Sequence, residues 1–207
     1  MSKLLYIKAS PRHAASRSVA VADAYLAALK AKRPDLIVDE IDLWDAGLPE
    51  FDGDRVTAKL TVFGGGVNEG AQASLWDEIV AIAGRFTSAD HYLFAIPMWN
   101  GGIPYKLKHY IDVIHQPGLT FGFDPAKGYF GLLEGKTATI VYTSGAWSTA
   151  LPSPAFGVDH QSTYMSAWLA QAGVTDVEEI RYQPTILTAD SDGDFARAKA
   201  DAAGRAT

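Results

Sequence analysis

Five short apolar runs alternate along this chain with segments of helical periodicity, and that alternation admits few folds. The runs lie at 3–8, 36–43, 90–97, 136–143 and 176–183. Each has the length and the β-branched or aromatic content of a strand rather than of a helix. Between and after them come amphipathic segments. Residues 17–32 carry Val19, Ala20, Ala24, Leu26, Ala27 and Leu29 and stop before Pro34; 71–86 carry Leu75, Trp76, Ile79, Val80, Ile82 and Ala83. Residues 103–114 place Ile103, Leu107, Tyr110, Ile111 and Ile114 on one face, and 159–172 and 191–204 supply two more helices. Strands that alternate with helices form a parallel sheet with right-handed crossovers, so a doubly wound five-stranded sheet in the order 2-1-3-4-5, with helices on both faces, is expected. Two stretches break the rhythm. Residues 44–70, with Pro49, Gly53, Gly64, Gly65, Gly66 and Gly70, read as a loop with room for one short helix, and 115–135 as a loop rich in glycine and aromatic residues. No repeat or linker divides residues 1–207, which read as a single domain.

This is a flavodoxin-like α/β arrangement, and its ligands bind beyond the carboxyl ends of the strands, in the crevice between strands one and three. The composition narrows what those ligands are. With a net charge of -6 and no long basic run, the chain is not built to grip a nucleic acid backbone. The absence of cysteine excludes disulfides, thiolate nucleophiles and zinc–thiolate or iron–sulfur centres. No signal segment opens the chain and no stretch approaches membrane-spanning length, so a soluble cytoplasmic protein is expected.

Three loops collect at the carboxyl end of the predicted sheet. After strand one, Ser10-Pro11-Arg12-His13-Ala14-Ala15-Ser16-Arg17-Ser18 places three hydroxyls before a helix. A helix N-terminus with hydroxyl donors suits a phosphate, whose charge the helix dipole favours. Serine is also a favoured N-cap, which accounts for one of the three and not for all. His13 is a further candidate for the same phosphate. The segment lacks both the G-x-G-x-x-G and the P-loop patterns. After strand three, Pro97-Met98-Trp99-Asn100-Gly101-Gly102-Ile103-Pro104 offers a flat polarizable wall and two glycines that let a backbone approach a ligand, with Pro104 in the first turn of the next helix. An ordinary strand-to-helix turn remains the rival reading. After strand four, Thr143-Ser144-Gly145-Ala146-Trp147-Ser148 is either a ligand-edge contact or a plain Gly-Ser turn.

Other chemistries find no support. There is no G-x-S-x-G elbow, and no credible base stands beside Ser144 or Ser148 for ester hydrolysis. His13, His91, His109, His115 and His160 show no metal spacing. His109 is expected on the polar face of its helix. Asp190, Asp192 and Asp194 imitate a calcium loop, but Phe195 stands where that loop needs glycine, so they read as a helix start.

Taken together, these segments resemble the FMN-dependent NADH-azoreductases of the flavodoxin-like quinone reductase group, over nearly the whole chain. The strongest stretch is Pro97 to Asp112, close to the family's P-M-[YW]-N-F-x-I-P-x-x-L-K. The serine loop fits its S-x-x-x-x-x-S-x-S phosphate site, and Asp42 to Trp44, Leu48 to Asp52, Gly118 to Phe123 and Gly131 to Lys136 also match. The resemblance implies that Ser10, Ser16, Arg17 and Ser18 surround the FMN phosphate. It implies that Met98, Trp99, Asn100 and Gly101 contact the flavin ring through backbone groups. Ser144, Gly145, Ala146 and Trp147 would line its polar edge, and Phe121 and Phe123 would wall the substrate pocket. It further implies a homodimer with cofactor sites at the subunit interface, and a two-step hydride relay from NADH through FMN to quinones or azo compounds. A flavodoxin-type electron carrier without its own small-molecule substrate is the competing reading. No side chain is assigned as a catalytic acid or base and no metal is expected. Two positions depart from the family: Gly101 replaces phenylalanine, and Gly145-Ala146-Trp147 replaces R-G-G. Losing the Phe ring opens the pocket floor, which Trp147 is expected to refill in part.

Overall fold

A computed structural model describes residues 2–207. In chain order the elements are β1 (Lys3–Lys8), α1 (Arg17–Lys32), β2 (Ile37–Asp42), α2 (Gly53–Phe63), α3 (Ala71–Thr87), β3 (His91–Pro97) and α4 (Tyr105–Ile114). They continue with β4 (Phe121–Asp124), β5 (Gly128–Gly131), β6 (Thr137–Thr143), α5 (Gln161–Ala172), β7 (Asp176–Tyr182) and α6 (Ser191–Arg205). The main sheet is parallel throughout, in the order β2-β1-β3-β6-β7, which is the 2-1-3-4-5 winding of the five expected strands.

Strand alternation sorts the core into two layers. Leu5, Ile7, Tyr92, Phe94, Ile96, Ile140 and Tyr142 face α3, α4 and α5, where Phe86, Leu107, Ile111, Met165 and Trp168 meet them. Leu4, Tyr6, Leu93, Ala95, Val141 and Ile180 face α1 and α6 through Val21, Tyr25, Leu26, Leu29 and Ala202. The three central strands are buried on both faces and read as continuous apolar runs, whereas the edge strands β2 and β7 carry Asp39, Glu40, Glu178 and Glu179 and discourage further pairing.

Two elements go beyond the expected rhythm. The 44–70 stretch contains an eleven-residue helix, α2, capped by Asp52, whose side chain accepts from the Arg55 amide at 3.0 Å. Its Val56, Leu60 and Phe63 fall at helical spacing but point outward, at 36, 60 and 42% exposure, so they add nothing to this chain's core. The 115–135 stretch folds into an antiparallel hairpin of β4 and β5. Gly131 lets the hairpin touch the end of α5, since a Cβ there would stand 2.1 Å from the Gly173 amide nitrogen. The helix after β3 begins at Tyr105, with Pro104 as its N-cap rather than in its first turn. No described helix is long and apolar enough to cross a membrane.

Two histidines are folded in as neutral rings. At the start of β3, His91 Nδ1 lies 2.6 Å from Thr137 Oγ1 and Nε2 lies 3.2 Å from Thr139 Oγ1, which itself donates to the Tyr25 hydroxyl. That network assigns the proton to Nε2. Burial, aided by the nearby Arg33 charge, lowers the His91 pKa to about 4, and burial with Lys59 does the same for His115. The unfolded chain protonates both rings below about pH 6.5 while the native state stays neutral until much lower pH. Stability is therefore expected to fall from pH 7 to pH 5, a window above most carboxylate titrations. Urea midpoints at the two pH values check this: the drop should shrink in His91→Asn, and an equal drop in that variant would contradict the assignment.

Candidate functional site

The three loops meet at the carboxyl ends of β1, β3 and β6, as the winding requires. Behind β1, the chain turns through a single 3-10 turn at His13–Ala15 and enters α1 at Arg17. Ser10, Ser16 and Ser18 are all buried, at 2, 3 and 1% exposure. Ser16 caps the helix, accepting from the Val19 amide at 3.4 Å, so capping accounts for that residue. Ser10 Oγ accepts from the Arg12 amide at 3.3 Å. Ser18 caps nothing: its hydroxyl meets Ser16 Oγ at 3.0 Å, beside first-turn amides that have no intrahelical acceptor. A buried hydroxyl pair beside unpaired first-turn amides of a helix fits a phosphate group.

The neighbouring charged side chains are committed elsewhere. The Arg17 guanidinium turns towards the far edge of α1, donating to the Tyr182 hydroxyl at 2.7 Å, Thr185 O at 3.1 Å and Ser191 Oγ at 3.0 Å. It ties α1 to the β7–α6 connection, leaving only its main chain near the serines. His13 Nδ1 pairs with Asp42 at 3.1 Å across to β2.

Behind β3, Met98 is pinned to the end of β6 by its amide on Thr143 O at 2.7 Å. Trp99 and Gly102 exchange two backbone hydrogen bonds, of 2.9 and 3.0 Å, around Asn100 and Gly101, whose φ values are 51° and 82°. Two positive φ angles make this a type I′ turn, for which Asn-Gly is the preferred pair. The turn exposes Trp99 at the crevice. His109, instead of facing water, holds the Pro49 carbonyl at 2.7 Å and thereby fixes the approach to α2.

Behind β6, Ser144 Oγ donates to the Trp147 carbonyl, and the amides of Thr185 and Ile186 clasp the Ser144–Gly145 carbonyls from outside. Gly145 is exposed and Ala146 half-buried, so both stay at the rim. Trp147 does not refill the pocket floor. It is buried at 8% exposure, with Gly157 against it and the Arg181 guanidinium 6.0 Å over its ring. The space beside Gly101 is taken by the Val158–His160 segment: a Cβ on Gly101 would lie 3.2 Å from Val158 O and 3.7 Å from His160 Cδ2, and the His160 amide donates to Gly101 O at 2.9 Å.

A cleft of about 940 Å³ opens at this end of the sheet, lined by Trp44, Trp99, Tyr105 and Tyr164 and by Asn100, Lys108, His160 and Thr163. Trp44 is fixed by its indole N–H on Ala9 O at 3.1 Å and meets the Tyr105 ring edge-on at 5.3 Å. Burial, with Asp112 nearby, pushes the Tyr164 hydroxyl up to about 12, so it remains a hydrogen-bond donor. The sequence reading missed Trp44, Tyr105, His160 and Tyr164 as cleft residues; an aromatic within a few residues after β2 and after the Asn-Gly turn was the available signal. Phe121 and Phe123 do not line this cleft. Phe121 is buried against His115 at 4.6 Å, and Phe123 packs at a tilt against Phe63 and Tyr129 at 5.8 and 4.9 Å on the hairpin's own face.

Known proteins share both the fold and the sequence. A family model described as "Flavodoxin-like fold" matches residues 2–206. An FMN-dependent NADH:quinone oxidoreductase of Ruegeria pomeroyi is 52% identical over 200 residues, covering 97% of this chain and 98% of its own. One of the same name from Desulfotalea psychrophila is 45% identical over 186 residues, covering 90% and 87%. Among solved structures, an azoreductase from Bacillus anthracis superposes with a TM-score of 0.88 at 25% identity over 100% of this chain and 99% of its own. An FMN-dependent NADH-azoreductase from the same organism, in complex with FMN, gives 0.82 at 25% identity over 100% of both chains. With this winding, this serine loop and these relatives across its length, the chain belongs to the flavodoxin-like family of FMN-dependent NADH:quinone oxidoreductases and azoreductases.

Proposed function

We propose that this protein is an FMN-dependent oxidoreductase that passes electrons from NADH to quinones and azo compounds. The observation that carries the reading is the juxtaposition of a buried serine pair at the α1 N-terminus with an aromatic cleft behind β3. One fits a phosphate and the other a flat ring, and both sit at the crevice of the winding. When bound, FMN supplies the hydride chemistry. The chain's own residues anchor and shield it. Ser10, Ser16, Ser18 and the Arg17 and Ser18 amides hold the phosphate. Met98, Trp99, Asn100 and Gly101 present backbone to the ring, with Ser144, Gly145, Ala146 and the main chain of Trp147 at its edge. The aromatic walls orient the nicotinamide and the acceptor in turn and keep water off the transferred hydride. An open cleft of this size favours an enzyme over an electron carrier, which needs only an exposed ring edge.

The working unit is a homodimer. Val56, Leu60 and Phe63 of α2 continue through Phe123 to Tyr129 of the hairpin, an exposed apolar face that no described residue covers. A second copy burying this face would bring Phe123 to a cleft across the interface, with Phe121 supporting it from beneath.

The test is spectroscopic. The purified protein, reconstituted with FMN, should show a bound-flavin spectrum that NADH bleaches without oxygen and that menadione or methyl red restores. Flavin that stays oxidised under NADH would overturn the reading.

A further inference from the structure

The charge on the cleft wall says more about the acceptor than the fold does. The chain carries 24 acidic residues, yet none of the cleft-lining side chains is a carboxylate. Its polar lining consists of donors or neutral groups: Lys108 on α4, and His160 and Thr163 at the start of α5, with Asn100 on the turn. The carboxylates nearest to them are turned to other work. Asp112, one helical turn beyond Lys108, holds the Lys108 ammonium through both oxygens at 2.6 and 2.8 Å. That spends two of its three N–H groups and fixes the third on the exposed side chain. Asp159 is consumed at the head of α5, accepting from the Gln161 and Ser162 amides at 3.0 and 2.8 Å and facing Arg181 at 3.5 Å. Thr163 Oγ1 is likewise spent on the Asp159 carbonyl.

His160 is different. Its amide is fixed to Gly101, so its place is set, but no described group takes a hydrogen bond from its exposed ring. Either neutral tautomer offers one N–H. A free imidazole donor and an ammonium oriented by Asp112 therefore line the same cleft as the indole and phenol rings of Trp44, Trp99 and Tyr105, and no carboxylate is among the lining side chains.

We propose that the cleft selects flat aromatic acceptors that carry an acidic group, the carboxylate resting between His160 and Lys108 and the ring lying along the tryptophan and tyrosine wall. This deepens the proposed function and rests on it for turnover, but the binding preference belongs to these side chains alone. Charge-assisted hydrogen bonds at a partly desolvated site are strong enough to discriminate, whereas the aromatic wall by itself accepts any flat ring.

The test is equilibrium binding of 2-naphthoate and of its neutral isostere 2-naphthamide, followed by calorimetry on the protein both with and without FMN. The naphthoate should bind about tenfold tighter, as one or two charge-assisted hydrogen bonds supply. The ratio should fall to within about threefold in His160→Phe, which keeps a flat ring and the backbone anchor but loses the N–H. Lys108→Met, which keeps the stem, should show the same fall. In the loaded enzyme, methyl red should show a lower KM than 4-(dimethylamino)azobenzene, which lacks only its carboxyl group, and His160→Phe should close that gap. Equal affinity for the two naphthyl probes, or a preference that survives both substitutions, overturns the inference whether or not the protein proves to use FMN. A protein that prefers the naphthoate but whose flavin NADH does not reduce would sink the proposed function and uphold the binding preference.

Discussion

Replacing Ser18 with aspartate should abolish FMN binding while leaving the apoprotein folded. The prediction separates the two readings of the serine loop, because capping and phosphate binding respond to it in opposite ways. Ser18 sits in the first turn of α1 and Ser16 keeps the N-cap, so Ser18→Asp removes no cap. A carboxylate in a first turn is favourable for the helix itself, and the dipole and the free amides offset the cost of burying its charge at this 1% exposed position. The same carboxylate occupies the place of a phosphate oxygen and meets the dianion at contact range. At about 4 Å and an effective dielectric constant near 20, each pair of like charges costs about 4 kcal/mol, or close to a thousandfold in affinity. Ser18→Ala is the control: it forfeits one hydrogen bond, about 1 kcal/mol, and should cost about fivefold. Flavin fluorescence titration gives the affinities and thermal melting of the apoprotein gives the stability. If Ser18→Asp binds FMN as the parent does, the phosphate lies elsewhere and the buried serines are only structural.

What the sequence conveyed well is what a buried parallel sheet imposes. Strands covered on both faces must be apolar throughout, so β1, β3 and β6 stand out, and their winding places the crevice. The α2 helix was harder to see for a physical reason. Val56, Leu60 and Phe63 form a proper helical stripe, but glycines flank it and the stripe serves a surface outside the chain's own core. The hairpin was hidden because its four-residue strands mix glycine with aromatics, too short a pattern to show a period. Side-chain direction in the loops was the least legible part. Arg17 lies between two serines in sequence, and that adjacency suggests a phosphate ligand; its partners Tyr182, Thr185 and Ser191 are more than 160 residues away and become neighbours only in the folded chain. Trp147 was expected at the cleft because it follows β6, and Arg181 and Gly157 draw it inward instead. Residues 158–160 gave no local signal of facing Gly101, since that contact is made by backbone.

That same contact decides what happens if the departure at position 101 is reversed. Gly101→Phe restores the residue usual in the family, yet here it should weaken both the fold and the cofactor site. The Asn100–Gly101 turn holds Gly101 at a φ of 82°, where a side chain is strained whatever its surroundings, at a cost of about 1–3 kcal/mol. A Cβ would also stand 3.2 Å from the Val158 carbonyl, closer than an ordinary contact, with the His160 ring just behind it. Relief requires either flattening the turn or moving the 158–160 segment, and the second breaks the His160 amide bond to Gly101 O. The sum is about 3 kcal/mol, which for a chain of this length lowers Tm by about 6–12 °C. Because Trp99 and Gly102 frame the turn that faces the ring, FMN affinity should fall about tenfold as well. Gly101→Asn provides the comparison, since asparagine tolerates a positive φ and leaves only the Cβ contact, so it should cost less than half as much. A Phe variant as stable as the parent, with FMN held as tightly, would mean that the 158–160 segment yields freely, and the wall that His160 contributes to the cleft would then be a movable one.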